Sequence, residues 1–252
     1  MVKKTVSFLV VYLIVVGLVI VWVSSVQTKL FSDIPWMFSI AIIIGVIAGI
    51  FTARAKLKNT GQEVNPPRHT LYSFMEHWGT GIGIILMIVS SRLLGLAFVP
   101  QENNPSVMPS NLHFTGLIFT LLFGGYFLAD FLVSREYRTM MPSLRDIWDG
   151  TIKKYLLRKK WNDTGKYLSS QKSAFLAFAV LGLGVLVTGV IKTAGLRGQD
   201  PSPSVTGVSY AHDIFALLFI LLLIVHIVLV LAVRSYRRML VSWFTGRNGI
   251  QH

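Results

Sequence analysis

Four histidines stand at or within the apolar runs of this 252-residue chain: His77, His113, His212 and His226. The last two lie fourteen residues apart in YAHDIFALLFILLLIVHIVL. A helix advances about 1.5 Å and about 100° per residue, which would put these two rings about 21 Å apart and within about 40° of one face. Imidazole in hydrocarbon costs free energy unless something binds it. His77, in MEHWGTG, opens a third apolar run, and His113, in NLHFTG, opens a fourth. Depth along the runs pairs His113 with His212 and His77 with His226. Two bis-imidazole sites on three helices are how a helical bundle holds two haems b, each iron taking one nitrogen from each of two helices. Any one of these histidines alone reads equally well as an interfacial residue or an interhelical hydrogen bond.

Glycines accompany the histidines: Gly79, Gly81 and Gly83 follow His77, Gly116, Gly124 and Gly125 follow His113, and GLGVLVTG supplies Gly182, Gly184 and Gly189. They would admit a flat macrocycle, and equally they would let helices pack closely in lipid. Charged residues inside apolar runs need a partner or water. Arg92 and Lys192 lie at the depth of propionates on an outer haem, with snorkelling to headgroups as the other reading. Asp130 is a proton-relay residue near a quinone or an ordinary interfacial acid, and Asp213 either orients the His212 ring or caps its helix. His69 and His252 are expected to face solvent.

The elements that must position these residues are membrane helices. Hydrophobic residues make up 53% of the chain and charged ones 14%. Mean hydropathy is +0.60, so the composition is that of an integral membrane protein. Six runs, 6–26, 36–53, 77–99, 112–133, 173–194 and 211–233, are long enough to span a hydrocarbon core about 30 Å thick. The first, preceded by MVKK, is too long for a signal peptide and is read as an uncleaved span. The 24 Lys and Arg against 11 Asp and Glu give a formal charge of +13. The basic residues interrupt apolar runs instead of lining a groove, which points to membrane orientation and away from nucleic acid. Arg54, Lys56, Lys58 and Arg68, and the basic cluster from Arg135 to Lys172, place those two loops in the cytoplasm. The loops around 27–35, 100–111 and 195–210 then face outward, with both termini inside. The segment RDIWDGTIKKYLLRKKW, residues 145–161, mixes aromatic, aliphatic and basic residues as an interfacial amphipathic helix would, with a partner-docking site as the second reading. The absence of cysteine excludes disulfides, cysteine-held zinc or iron–sulfur centres, and covalent c-type haem.

RHTLYSFMEHW, HFTG, KKYLL, GKYLSSQKSAF with the apolar TG helix after it, HDIFALLFILLLIVHIVL and SWFTG together resemble the di-haem cytochrome b (gamma) subunit of membrane-bound formate dehydrogenases, with relatives in nickel–iron hydrogenases and thiosulfate reductases. The resemblance covers residues 68–249, and its most specific element is the fourteen-residue His–His spacing. It implies His77 and His226 as ligands of an inner haem and His113 and His212 as ligands of an outer one. It also implies electrons entering from an iron–sulfur subunit attached to a catalytic oxidoreductase subunit, and a quinone, menaquinone or ubiquinone, near His226 and the loop bearing Tyr167 and Gln171. Two features depart from the family. Its formate dehydrogenase members carry Lys-Tyr-Asn ahead of Gln-Lys, whereas Lys166, Tyr167 and Leu168 precede Gln171 and Lys172 here. Residues 1–58 add a histidine-free hairpin to the usual four helices.

The expectation is therefore an all-α integral membrane protein of six transmembrane helices, a four-helix di-haem domain over 68–249 plus an N-terminal hairpin over 1–58. Its work would be electron transfer between an outer-side redox partner and the quinone pool of a bacterial or archaeal cytoplasmic (inner) membrane, with no substrate-converting site of its own. Two competing readings are a six-span transporter with a histidine and Asp130 proton relay and no haem, and a histidine-bearing anchor that only scaffolds partners. The transporter reading lacks the broken midplane helices such proteins use.

Overall fold

The computed structural model describes residues 2–31, 36–59, 70–96, 107–162, 167–195 and 203–245. His69, Lys166 and His252, with residues 100–106 and 196–202 of the two loops expected around 100–111 and 195–210, lie outside these. Among the described residues the chain is all-helical: α1 Val2–Ser25, α2 Trp36–Asn59, α3 Leu71–Leu96, α4 Val107–Val133, α5 Tyr137–Met140, α6 Leu144–Ile147, a π-helical stretch Trp148–Lys153, α7 Lys154–Leu156, α8 Ser169–Gly195, α9 Pro203–Ala232 and α10 Arg234–Thr245. Five of these, α1, α2, α4, α8 and α9, are long and apolar enough to cross a membrane. The remaining expected span is α3, whose 26 residues would reach about 39 Å. Its first turns hold Glu76, His77 and three glycines, which dilute the apolar character of its N-terminal half.

Two compact units divide the chain, residues 1–136 with 237–252, and residues 137–236. In the first unit α4 is the central helix, with α2 and α3 packed along it. Glycine sets how closely they approach. A Cβ on Gly45 or Gly49 would run into the backbone of Leu122 or Tyr126 on α4, so this four-residue glycine spacing lets α2 lie directly on α4. Likewise a Cβ on Gly83 would sit 2.8 Å from the Gly116 carbonyl oxygen, and one on Gly116 2.7 Å from that of Gly83. The close-packing reading therefore holds at these glycines, while at Gly81 and Gly124 an added Cβ would meet nothing within 4 Å among the described residues. The N-terminal helix joins through Tyr12, whose hydroxyl donates to the Gly79 carbonyl at 3.2 Å and whose ring meets Phe119 and Phe123 edge-on. Asn111 ties the α1–α2 turn to the start of α4, its amide donating to Thr28 O at 2.9 Å and its carbonyl accepting from Leu30 N at 3.0 Å.

The second unit is built on the antiparallel pair α8 and α9, with α6 and the π-helical segment against the start of α8 and α7 packed on the π-helical segment. The stretch expected as one amphipathic helix over 145–161 is broken. The π-helical turn lies within it, Arg158 takes a left-handed φ of 51°, and Trp161 donates its indole N–H to Ser169 Oγ at 3.0 Å. Gly150 is packed against Ser169 and Trp161 so tightly that a Cβ would collide with the serine side chain. Closure onto α8 thus ends the helical pattern that the sequence suggests. The exposed apolar residues Leu144, Trp148, Leu156 and Leu157, beside Lys153 and Lys154, keep the composition of a segment lying at a membrane surface.

Candidate haem ligands and their surroundings

His212, on α9, is held by α8. Its Nδ1 lies 3.1 Å from Val185 O and 3.2 Å from Thr188 Oγ1. A carbonyl only accepts, so Nδ1 carries the proton and the lone pair is on Nε2. Gly189 makes room for the ring: a Cβ there would come within 3.1 Å of Cε1 and 3.3 Å of Nδ1. The Thr-Gly pair in GLGVLVTG is therefore the seat of this imidazole, a role that its sequence pattern alone left open.

His113, on α4, is held in the same manner by α3. Its Nδ1 is 3.2 Å from Met87 O and 3.4 Å from Ser90 Oγ. The backbone contact of Gly83 with Gly116 brings the two helices close enough for this reach. Again the lone pair falls on Nε2.

The other two histidines lie among aromatic rings. His77 stacks on Trp243 of α10, with ring centroids 5.0 Å apart and planes 17° from parallel, and meets Trp78 edge-on at 5.7 Å. Phe244, next to Trp243, packs edge-on against the buried Phe74 of α3 at 5.4 Å. SWFTG enters the sequence pattern only as a family fragment, which does not reveal that Trp243 contacts a candidate ligand. The available signal was helical spacing in RSYRRMLVSWFT, where Tyr236, Leu240, Trp243 and Phe244 share one face. His226, on α9, meets Phe178 of α8 edge-on at 5.6 Å, and Phe178 in turn meets Phe219 at 5.3 Å.

Among the charged candidates, Lys192, Asp213 and Asp130 find partners within their own units. Lys192 and Asp213 form an ion pair at 3.5 Å, so Asp213 faces the lysine. Asp130, weighed as an interfacial acid, is 1% exposed. Lys56 lies 2.5 Å from Asp130 Oδ2 and 3.7 Å from Glu76 Oε1. The sequence places Lys56 among cytoplasmic loop charges, but α2 continues through good helix formers to Asn59 and turns this ammonium inward. Arg92 is on α3, and its side chain is outside the described part of the structure. Gln171 accepts from the Leu168 N–H at 3.1 Å at the start of α8, and Tyr167 is half-buried.

Outside the spans, Asp146 gathers the second unit's surface segment. Its Oδ1 accepts from Ser169 Oγ at 2.7 Å, and its Oδ2 accepts from Ser143 N and Oγ at 2.9 and 2.8 Å and pairs with Lys172 at 3.3 Å. Burial would raise this carboxyl, but the Ser143, Ser169 and Lys172 donors outweigh it and hold the group down at about 2. A depressed carboxyl stabilises the fold above its unfolded value near 4 and loses that contribution as pH falls towards 2, a term on the order of 2 kcal/mol. Acid titration of thermal stability in detergent should therefore show a loss between about pH 4 and 2 that Asp146→Asn largely removes.

A family model described as prokaryotic cytochrome b561 matches residues 68–246. The chain belongs to the prokaryotic cytochrome b561 family. No curated protein and no solved structure matches it. It is a helical membrane cytochrome b, and membership implies haem b binding and electron transfer in the membrane. The donor chemistry fits such a group: at His113 and His212 a helix carbonyl takes the Nδ1 proton, the arrangement that fixes tautomer and raises basicity of an axial imidazole. The family match begins after α2, so the Lys56 contact with Asp130 and Glu76 joins α2 to the matched part of this cytochrome.

Proposed function

We propose that the chain is a six-span, di-haem b subunit that carries electrons between a redox partner on the outer side and the quinone pool of a bacterial or archaeal inner membrane. His113 and His212 would hold the outer haem iron and His77 and His226 the inner one, in a four-helix domain over 68–249 to which residues 1–58 are attached. Haem supplies the one-electron chemistry, and the protein supplies axial nitrogens and an apolar surround that set its potential. The observation that carries this reading is the pair of equivalent histidine seats, Nδ1 on a helix carbonyl at both His113 and His212, in a chain of the cytochrome b561 family.

Lys192 and Arg92 are proposed propionate partners, and Tyr167, Gln171 and Asp130 a proposed quinone neighbourhood. The partner would be an iron–sulfur electron-transfer subunit joined to a catalytic oxidoreductase subunit, since the outer loops are too short to form a catalytic domain. Both termini are proposed to be cytoplasmic. Menaquinol and ubiquinol analogues added anaerobically to membranes containing the protein should reduce its b-type haem within the mixing time of a rapid spectrophotometric assay. Haem that dithionite reduces but neither quinol reduces would overturn the quinone-linked role.

A further inference from the structure

Two helix pairs in different units repeat one local arrangement around a histidine. On α8, Thr188 Oγ1 donates to Gly184 O at 2.6 Å and lies 3.2 Å from Val185 O. On α3, Ser90 Oγ donates to Met87 O at 3.0 Å. A Ser or Thr in a membrane helix commonly satisfies its hydroxyl proton in this way, on a carbonyl three or four residues back. With the proton so engaged, the hydroxyl oxygen has only lone pairs to offer a neighbour. The neighbour in each case is an imidazole Nδ1, His212 for Thr188 and His113 for Ser90.

The spacing is the same in both seats. A carbonyl at one position and a hydroxyl three residues later accept together from one Nδ1–H: Val185 with Thr188, and Met87 with Ser90. The carbonyl would be present whatever the side chains, so a single acceptor is available to any sequence. The hydroxyl is what this sequence adds. Ser90 is fully buried, which makes a solvent-facing role for its oxygen untenable. A second acceptor holds the ring against rotation about its Cβ–Cγ bond and draws the proton further from Nδ1, which makes the opposite nitrogen more electron-rich.

We propose that Ser90 and Thr188 are positioning residues for the axial imidazoles of the outer haem: each accepts from Nδ1–H, fixes the ring so that Nε2 faces the iron, and lowers the midpoint potential by strengthening the nitrogen's donation to ferric iron. The proposal rests on the reading that His113 and His212 are haem ligands. A hydroxyl that only packs would affect stability and leave the potential alone.

The test is a spectroelectrochemical titration of the assembled holoprotein, native and with Thr188→Val, Ser90→Ala or Thr188→Ser. The outer haem is identified as the titrating component that His212→Leu abolishes. Thr188→Val and Ser90→Ala are expected to move that component's midpoint upward while the other haem stays at its native value, and Thr188→Ser, which keeps the hydroxyl, is expected to restore the native midpoint. An unshifted midpoint in a haem-replete Thr188→Val or Ser90→Ala protein overturns the proposal, as does a shift in the other haem or a Thr188→Ser protein that behaves like Thr188→Val. Either hydroxyl deletion is sufficient if the other fails to assemble. Native protein without haem would instead overturn the ligand assignment on which the proposal stands, a result read before any variant is made.

Discussion

Replacing His226 by leucine should remove one low-spin b haem from the protein and leave the other, halving the haem content. His226 is half-buried on α9 and packed edge-on against Phe178, so leucine occupies a similar apolar volume and the α8–α9 pair keeps its packing. What leucine cannot supply is a nitrogen. A bis-imidazole iron that loses one ligand either changes to a high-spin state or loses its haem, and both outcomes remove its low-spin signature. The same component should vanish in His77→Leu, and the other component in His113→Leu and His212→Leu. Redox titration of the four variants checks the assignment. Loss of one shared component in His77→Leu and His212→Leu would mean that the pairing is wrong.

A loss of roughly 3–5 kcal/mol is expected from Lys56→Met, the cost typical of breaking a buried ion pair from one side. The side chains of Asp130 and Glu76 are 2% and 7% exposed. Their Oδ1 and Oε1 atoms make no hydrogen bond among the described residues. Without the ammonium, two carboxyl groups would remain in a poorly solvated place, and α2 would lose its polar attachment to α3 and α4. Replacing all three by apolar residues, Lys56→Met with Asp130→Leu and Glu76→Met, should recover most of the loss, because a buried ion pair is often no more stable than well-packed hydrophobic groups of similar size. Thermal unfolding in detergent measures both. A single Lys56→Met variant as stable as native protein would show that the attachment of α2 does not depend on this ion pair.

The long helices were legible because a bilayer leaves few alternatives for an uninterrupted apolar run. The histidines were legible for the same reason, since a polar ring is conspicuous in YAHDIFALLFILLLIVHIVL. What the sequence hid were tertiary relations. Lys56 follows the apolar part of α2 and looks like any loop lysine, and only the packing of α2 on α4 through Gly45 and Gly49 brings it to Asp130. Ser90 and Thr188 are unremarkable hydroxyls until α3 and α4, or α8 and α9, are set side by side. The break after Leu157 followed from Trp161 and Gly150 closing on Ser169, a contact between segments that periodicity within 145–161 does not encode. Trp243 was reachable from its helical face, yet its stacking on His77 depends on how α10 returns to α3.

We propose that this chain holds two haems b on four histidines. Purified protein, assembled in its native membrane and extracted with its partners, should give a pyridine haemochrome of two haems b per chain with low-spin Soret and alpha bands. Fully assembled protein with no haem would contradict the account and favour a proton-relay or scaffolding role for the histidines, and a single haem per chain would contradict the two-site assignment.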